Sequence, residues 1–356
     1  MRIASVVGAR PNFIKLAPVH AAFKQVANHL IIHTGQHYDY ELSEIFFKEF
    51  NIPEPDYNLN VGSSSPMVQI AAMIRGLEKI FTSSEFDWVI VYGDTNSTFA
   101  GALAAMRTGI KVAHVEAGLR SFDRRMPEEI NRLLTDQLSD YLFAPTNTAI
   151  KNLDREHVSG EVIYSGDVNV EILNEALRLS KNSSILKDLD LEPKTYTLFT
   201  MHRAENTLFE DSLVSVLRAF EILSEVQIVF PIHPRTKNIL QQKQLLTRLE
   251  KCNNVRLIEP LGYLDFVKLM QNACKIITDS GGAQKESYLL HVPCITIREN
   301  TEWEETVKVG WNILTGTNTD RVVNAVRSWQ PTTSIEPIFG NGDSSKIILH
   351  SIINTS

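Results

Sequence analysis

The sequence contains few cysteines, no long hydrophobic segment and no excess of positive charge, and each absence excludes a class of protein. The three cysteines are odd in number and widely spaced, without the spacing of metal ligands, so we expect them to stay reduced in the cytoplasm. No apolar run approaches the roughly 20 residues that cross a bilayer, so a membrane protein is not expected. A net charge of −7 argues against a general nucleic-acid-binding protein.

The glycine fingerprint of dinucleotide-binding proteins, G-x-G-x-x-G, is also missing. The first strand-like segment leads instead into Gly8-Ala9-Arg10-Pro11, which argues against a nicotinamide oxidoreductase. No metal site is visible in the spacing of histidines, cysteines and carboxylates, so we expect no metal. Because a strand-like segment begins at residue 2, we expect no secretory signal at the N-terminus.

What the sequence does contain is a repeated alternation of short apolar runs and helical patterns. Most runs are apolar throughout, which is typical of parallel strands covered on both faces. Strands are predicted at 3–7, 30–33, 88–92, 111–115, 141–144 and 162–164, and in a second series at 196–201, 226–231, 255–258, 275–278 and 292–297. Helices of the first series are predicted at 13–26, 40–50, 67–81, 97–107, 127–139 and 146–155.

Alternating strands and helices predict an α/β fold with parallel sheets and right-handed crossovers. A chain of 356 residues is long enough for two such domains. We therefore expect two doubly wound, Rossmann-like domains facing each other across a cleft. The predicted boundaries are 1–167 and 168–340, with a polar linker region at 181–184 and one more helix at 341–356.

Carboxylates and arginines are concentrated between residues 92 and 132, directly after predicted strands or at a predicted helix start. The carboxyl ends of parallel strands present such side chains to a ligand. Asp94, Glu116 and Glu128 suit proton abstraction from a carbon acid, and Arg132 suits an anionic leaving group. The simpler interpretation of Glu128 and Arg132 is an ion pair on the helix surface, worth a few tenths of a kcal/mol, and Glu129 is interpreted in the same way.

Two strand–helix turns predict phosphate binding, because a helix N-terminus offers free N–H groups and a partial positive charge. The first turn adds the formal charges of Arg10 and Lys15, although an ordinary turn with solvated cations fits equally well. The second contains Ser280-Gly281-Gly282, which lets the backbone approach a diphosphate. Glu286 follows in the helix and can accept hydrogen bonds from a ribose diol. A glycine-rich turn with a surface glutamate is the alternative.

Histidines are the remaining candidates for proton transfer, since they titrate near neutral pH. His202 follows a predicted strand and suits neutralisation of a phosphate oxygen or proton transfer, but a single histidine at a strand end is more often structural. His233 and Arg235 end another strand with the same ambiguity. His114 lies within an apolar run, so we interpret it as a core or supporting residue.

In this order the motifs resemble the non-hydrolysing UDP-N-acetylglucosamine 2-epimerase family. The matching segments span essentially the whole chain and are Gly8-Ala9-Arg10-Pro11, Gly93-Asp94-Thr95, His114-Val115-Glu116-Ala117-Gly118-Leu119-Arg120, Pro127-Glu128-Glu129-Ile130-Asn131-Arg132, His202-Arg203 and Asp279-Ser280-Gly281-Gly282. The resemblance implies a glycosyltransferase-B-like pair of domains, a cleft that closes over a nucleotide sugar, a last helix that packs back on the first domain, and a homodimer.

The resemblance also implies which residues act. The family's functional residues fall here on Asp94, Glu116, Glu128, Arg132 and His202, and its nucleotide contacts fall on Arg10, Lys15, Phe266, Ser280, Gly281, Gly282 and Glu286. The implied substrate is a UDP-sugar, and the implied reaction interconverts UDP-GlcNAc and UDP-ManNAc without a cofactor. A base removes the C2 proton as UDP leaves C1, and UDP adds back to the 2-acetamidoglucal while a proton arrives on the opposite face.

That chemistry accounts for the residue types. Two carboxylates on opposite faces of C2 serve as base and acid, and at least one needs a raised pKa. The sequence does not rank Asp94, Glu116 and Glu128 in these roles. Cations stabilise the charge that builds on the leaving diphosphate, and the candidates are Arg10, Lys15, Arg132 and His202.

The sequence departs from the family in two places. Where many members read Thr-Glu-Arg-Pro-Glu, this chain has Thr301-Glu302-Trp303-Glu304-Glu305, so a side chain that pairs with phosphate is replaced by an indole. The charged pattern near His37 is altered as well, with Tyr38 following, which disfavours activation by a second substrate molecule. Both changes favour a branch acting on 2,3-diacetamido sugar nucleotides, including the glucuronate.

Three other classes remain as alternatives. A UDP-sugar glycosyltransferase of the same fold needs a diphosphate clamp and an acceptor groove, but does not need several carboxylates and an arginine at the edge of the first domain. A hydrolysing epimerase releases free sugar and UDP. A nucleotide-sugar sensor binds UDP without exchanging the C2 proton.

Overall fold

The computed structural model describes residues 1–36 and 52–354. The chain folds into two compact units, unit 1 with Met1–Asn174 and Pro337–Ser356, and unit 2 with Glu175–Glu336. The helix predicted at 40–50 and the positions of His37 and Tyr38 lie outside the described residues. The chain leaves unit 1 at residue 174 and rejoins it at 337.

Unit 1 contains a seven-stranded, entirely parallel sheet with the strand order β3-β2-β1-β4-β5-β6-β7. Its strands are β1 Arg2–Val7, β2 Asn28–His33, β3 Tyr57–Asn58, β4 Trp88–Tyr92, β5 Lys111–Val115, β6 Tyr141–Ala144 and β7 Glu161–Tyr164. Its helices are α1 Arg10–Phe23, α2 Pro66–Ser83, α3 Asn96–Arg107, α4 Pro127–Leu138, α5 Asn147–Arg155 and α6 Asn169–Leu179, and the boundary at 174 falls inside α6.

Unit 2 contains a six-stranded parallel sheet with the order β10-β9-β8-β11-β12-β13. Its strands are β8 Tyr196–Thr200, β9 Gln227–Pro231, β10 Val255–Ile258, β11 Lys275–Thr278, β12 Cys294–Thr296 and β13 Asn312–Leu314. After a 3-10 turn at Ser180–Asn182, its helices are α7 Ile185–Asp188, α8 Ala204–Thr207, α9 Glu210–Ile222, α10 Pro234–Gln242, α11 Leu246–Glu250, α12 Tyr263–Asn272, α13 Gly281–Leu289, α14 Glu304–Lys308 and α15 Thr319–Arg327.

The central strands of both sheets are mainly apolar, and they are buried. All five residues of β4 are buried, as are all four of β11. This pattern fits a sheet with helices on both faces. The predicted fold class of two doubly wound, Rossmann-like domains is confirmed. In each sheet the strand order reverses at one place, between β1 and β4 and between β8 and β11, and a reversal of this kind opens a crevice at the carboxyl ends of the strands.

The chain ends in helix α16, Ser344–Ile353, which packs against α1 within unit 1. A backbone hydrogen bond joins the two segments of unit 1 just before this helix, since Asp167 N donates to Phe339 O at 2.9 Å. Glu171 then accepts from the N–H and the hydroxyl of Ser345 at the start of α16. Within the described part of the chain, no helix is both long and apolar enough to cross a membrane.

Candidate active site

The loops that follow β4 and β5 turn sharply, which brings their side chains to one edge of the unit 1 sheet. Gly93 has a φ of 64°, and Gly118 has a φ of 81°. Glu116 also lies in the left-handed region, with a φ of 74°, which is uncommon for a residue with a side chain and is concentrated at functional sites. The turn aims the Glu116 carboxylate at the end of the neighbouring strand β4.

The carboxylate of Glu116 forms a buried ion pair with Lys15 from α1. Its Oε1 lies 2.5 Å from Lys15 Nζ, and each side chain is only 9% exposed. Gly93 lies beside this pair, because a Cβ built there would be 2.7 Å from Lys15 Nζ and 3.5 Å from Glu116 Oε1. The second oxygen of Glu116 lies 3.5 Å from Asn169 Nδ2. Side chains from three different segments therefore meet beside the Gly93 backbone.

Next along the same edge, Asp94 pairs with Arg132 from α4. Arg132 Nη2 lies 2.5 Å from Asp94 Oδ2, and Arg132 Nη1 lies 3.1 Å from Glu129 Oε2. The Asp94 side chain is 26% exposed, whereas the arginine is 6% exposed. Asn131 adds a bond of 3.0 Å to the Asp94 carbonyl. The carboxylate site, defined here as Lys15, Asp94, Glu116 and Arg132, is thus assembled within unit 1.

The interpretation of Glu129 as a helix-surface residue is wrong. Glu129 is buried, and its carboxylate accepts hydrogen bonds from the N–H groups of Ser121 and Phe122 as well as from the Ser121 hydroxyl. It therefore holds the preceding loop against the start of α4 while it anchors Arg132.

Glu128 is exposed on the first turn of the same helix. The side chain of Arg10 lies outside the described part of the structure.

Asn12 has no role in the sequence-based predictions, but the structure gives it one in the site. Its side-chain oxygen accepts from the N–H groups of Gly8 and Ala9 at 3.2 and 3.1 Å, and its nitrogen donates to the carbonyl of Tyr92 at 2.8 Å. It is 1% exposed. This asparagine ties the β1–α1 turn to the end of β4, so it sets the distance between Lys15 and the Gly93 backbone.

In unit 2, Asp279 directly follows β11 and binds the loop that follows β8. Its buried carboxylate accepts from the backbone N–H groups of His202 and Arg203 at 3.1 and 2.9 Å and from Asn206 Nδ2 at 3.2 Å. The His202 ring is 48% exposed, and its Nδ1 lies 3.6 Å from Asp279 Oδ1. The loop after β8 is therefore fixed to β11 by one carboxylate.

The glycine turn, residues 280–282, begins helix α13 directly after Asp279. Ser280 is the N-cap and accepts from Ala283 N. A Cβ on Gly281 would lie 3.5 Å from Trp303 Nε1, 3.6 Å from Glu302 Oε2 and 3.8 Å from Arg203 Nη2. The Glu302 carboxylate is itself paired with Arg203 and Arg298, which leaves Trp303 and Arg203 as donors beside this helix start. The first-turn N–H groups and these donors together suit an anionic ligand.

One turn into α13, Glu286 accepts a hydrogen bond from the Tyr263 hydroxyl at 2.7 Å. This bond orients a carboxylate whose two oxygens offer about four acceptor sites in total. Tyr263 and Phe266 lie one turn apart on α12, and Phe266 packs on the core beneath. The nucleotide contacts expected at Phe266, Ser280, Gly281, Gly282 and Glu286 are therefore on two neighbouring helices of unit 2.

Trp303, where the sequence departs from the family pattern, is buried within unit 2. Its ring lies 4.5 Å from Lys285 Nζ, a distance at which an ammonium group is attracted by the face of an indole.

The structure groups the candidates of unit 1 at one sheet edge and those of unit 2 at another. Within the described ranges, no group of three or more histidine, cysteine or acidic side chains is suited to hold a metal ion.

Comparison with known proteins places this geometry in a family. The sequence model of the family described as UDP-N-acetylglucosamine 2-epimerase matches residues 21–353. A Methanococcus maripaludis protein named UDP-N-acetylglucosamine 2-epimerase homolog is 49% identical over 357 residues, covering 99% of this chain and 100% of the relative. The UDP-2,3-diacetamido-2,3-dideoxy-D-glucuronate 2-epimerase of Pseudomonas aeruginosa is 41% identical over 360 residues, covering 98% of each chain.

A solved structure agrees with these relatives. The crystal structure of the Methanocaldococcus jannaschii UDP-GlcNAc 2-epimerase in complex with UDP-GlcNAc and UDP matches with a TM-score of 0.92 and 42% identity, over 99% of this chain and 100% of that one. The sequence and the fold of the described residues therefore indicate the same family. The protein belongs to the UDP-N-acetylglucosamine 2-epimerase family, a family of isomerases that act on nucleotide sugars.

Proposed function

We propose that this protein interconverts UDP-GlcNAc and UDP-ManNAc without hydrolysis, by eliminating and re-adding UDP. The observation that carries the proposal is the carboxylate site of unit 1, where two carboxylates, each beside a cation, flank the Gly93 backbone. The neighbouring structure that was solved with UDP-GlcNAc and UDP supports a UDP-sugar as the substrate.

The reaction requires that a proton leaves one face of C2 and arrives on the other. A carboxylate takes the C2 proton, the C1–O bond breaks with its electron pair going to UDP, and a 2-acetamidoglucal remains. On re-addition a second carboxylic acid gives its proton to C2 on the opposite face while UDP attacks C1. Asp94 and Glu116 are the proposed pair, with Glu128, which is exposed on the first turn of α4, as the third candidate.

The cations have a separate task, which is to stabilise the negative charge that grows on the diphosphate as it leaves. Lys15 and Arg132 lie beside the two carboxylates, and His202 and Arg10 are the further candidates. We propose that the nucleotide is bound by the glycine turn, with Glu286 on the ribose hydroxyls and Phe266 against the base.

An incubation with UDP-GlcNAc alone, in D₂O and without any acceptor sugar, tests the proposal. We expect UDP-ManNAc to form, with deuterium at C2 of the product and of recovered substrate, because the proton that returns comes from a carboxylic acid in exchange with solvent. The measurement is proton NMR of the nucleotide sugars over time, together with the amount of free UDP at completion.

Each alternative gives a different result in that experiment. A glycosyltransferase or a binding protein leaves C2 unlabelled, and either result would overturn the proposal. A hydrolysing enzyme converts the substrate into free sugar and a stoichiometric amount of UDP. An unlabelled UDP-ManNAc product would show that C2 is inverted without exchange, which also contradicts the elimination route.

A second candidate substrate is a UDP-2,3-diacetamido sugar, including its glucuronate form. The supporting observations are the 41% identity to the Pseudomonas aeruginosa enzyme and the presence of Trp303 where many family members have arginine. The same labelling experiment with UDP-GlcNAc and the diacetamido glucuronate in parallel decides between them. A kcat/KM at least tenfold higher for the diacetamido compound would replace UDP-GlcNAc as the proposed substrate.

Nucleotide binding by the glycine turn gives a separate prediction. Ser280→Ala together with Glu286→Ala should weaken UDP binding roughly 10²- to 10⁴-fold, since hydrogen bonds to charged groups contribute about 1.5–3 kcal/mol each and two are lost. Titration calorimetry with UDP measures the change, and Glu304→Ala, an exposed carboxylate of α14, is the control. Unchanged affinity in the double variant would remove the glycine turn from the binding site.

A further inference from the structure

A buried imidazole connects the segments that carry the carboxylate site. His114 lies on β5 and has no exposed surface. Its Nε2 lies 2.8 Å from the carbonyl oxygen of Gly93, and its Nδ1 lies 2.6 Å from Oδ1 of Asp136 on α4. Both ring nitrogens therefore face an oxygen atom at hydrogen-bonding distance.

These partners determine how many protons the ring carries. A carbonyl oxygen only accepts hydrogen bonds, and so does an ionised carboxylate. A neutral imidazole has a single N–H, so its other nitrogen would face an oxygen atom without a proton between them. Only a ring that is protonated on both nitrogens donates to Gly93 and to Asp136 at once.

The charges around the ring agree with a cation. Arg120 donates to Asp136 Oδ2 at 2.6 Å and to Glu156 at 2.5 Å, and the Arg120 and Asp136 side chains are 0% exposed. Two carboxylates and one guanidinium leave one negative charge in excess, and burying an unbalanced charge is costly. A protonated His114 brings the total charge of the cluster to zero.

The acceptor state of Asp136 is supported by its surroundings. Its Oδ2 accepts a hydrogen bond from Arg120 Nη2 at 2.6 Å, and the adjacent guanidinium charge favours the ionised carboxylate. Its Oδ2 also accepts from Gly118 N at 3.1 Å. Asp136 therefore has no proton to give to the ring.

We propose that His114 is protonated on both ring nitrogens and that this imidazolium ion positions the carboxylate site. Its Nε2 fixes the carbonyl of the peptide bond that leads into Asp94. Its other partner, Asp136, lies on α4 one turn after Arg132 and accepts from Gly118 N in the loop of Glu116. His114 is a positioning residue, and its effect on turnover rests on the proposed function, whereas its protonation does not.

The protonation is tested by ¹⁵N NMR of the full-length protein labelled in its histidine rings. The His114 signals are identified by their loss in His114→Gln, or, if that variant does not fold, by their contact with the Gly93 backbone. We expect both ring nitrogens of His114 to show the imidazolium pattern at neutral pH. A neutral pattern with one unprotonated nitrogen would overturn the proposal.

The positioning role is tested with Asp136→Asn, which keeps the shape and removes the charge. We expect kcat to fall about 100-fold, because small displacements of reacting groups cost that much, while KM for the UDP-sugar changes less than about threefold. The ¹⁵N pattern of His114 should become neutral in the same variant. Asp154→Asn, an exposed carboxylate of α5, is the control and should change neither quantity.

Each outcome has a defined meaning. A neutral ring together with unchanged kcat in Asp136→Asn would remove the positioning role, as would an equal loss of kcat and UDP affinity. If the wild-type protein shows the imidazolium pattern but no epimerisation of any UDP-sugar, the proposed function fails and the ionised pair remains. If it epimerises UDP-sugars with a neutral His114, only this inference fails.

Discussion

Asp94→Asn is expected to lower kcat about 10³-fold while UDP affinity stays within about threefold of wild type. Loss of a positioned proton carrier typically costs about 10²- to 10⁴-fold. The fold should survive, because Arg132 keeps its second partner, Glu129, at 3.1 Å. Initial rates of UDP-ManNAc formation and calorimetry with UDP measure the two quantities.

The control for this variant is Asp123→Asn. Asp123 pairs with the exposed Arg125 on the loop before α4, so the substitution removes the same charge from the same region without touching the carboxylate site. Its kcat should match wild type. If Asp94→Asn retains full turnover, Asp94 is not a proton carrier, and if it abolishes UDP binding, Asp94 belongs to the nucleotide site instead.

A companion substitution, Glu116→Gln, should lose turnover to a similar extent but also lose stability. It leaves the Lys15 ammonium buried beside a neutral amide, and an uncompensated buried charge costs about 3–5 kcal/mol. Adding Lys15→Met should restore much of the stability and none of the turnover. This comparison separates the chemical role of the glutamate from its structural role.

Asp279→Ala is expected to have the largest effect on unit 2. It leaves the backbone N–H groups of His202 and Arg203 and the amide of Asn206 without their acceptor. A buried donor without a partner costs about 1–3 kcal/mol, so we expect a total loss of about 3–5 kcal/mol. With an unfolding entropy of about 2.1 cal/mol/K per residue, the melting temperature of a chain of 356 residues should fall by about 4–7 °C.

UDP binding should weaken in the same variant, because Asp279 directly precedes the glycine turn and fixes the loop of His202 beside it. Differential scanning calorimetry and UDP titration measure the two effects, and Asp188→Ala, an exposed carboxylate of α7, is the control. A variant with wild-type melting and wild-type UDP affinity would show that Asp279 does not join these loops. Asp279→Asn should be milder, since its oxygen still accepts one or two of the bonds.

The strands could be predicted because a buried parallel strand appears in the sequence as a short, mostly apolar run. The run at 88–92 is apolar throughout, the run at 111–115 is apolar except at Lys111 and His114, and both are strands with those bounds. Strands β3 and β13 were not predicted. They contain two and three residues, too few to show a periodicity, and they exist because a neighbouring strand offers hydrogen bonds.

The supporting polar residues could not be assigned from the sequence. Asn12 bonds to Tyr92, 80 positions away, and Asp136 bonds to His114 across 22. The amino-acid type says only that a polar group is present, and its partner depends on which strands become neighbours. The prediction for Glu129 was wrong for a related reason. The sequence does not say which of two adjacent glutamates at a helix start faces the interior, because that depends on how the helix is rotated against the sheet.

The sequence by itself determined the alternation of strands and helices, the parallel sheets and the chemical types placed at strand ends, because these follow from local hydrophobic pattern and chain direction. It also carried the motifs of the epimerase family. Only the tertiary structure decided which polar side chains pair: Glu116 with Lys15, Asp94 with Arg132, Asp136 with His114. Those pairs depend on strand order and on left-handed turns such as that at Glu116, which bring together residues from distant parts of the chain.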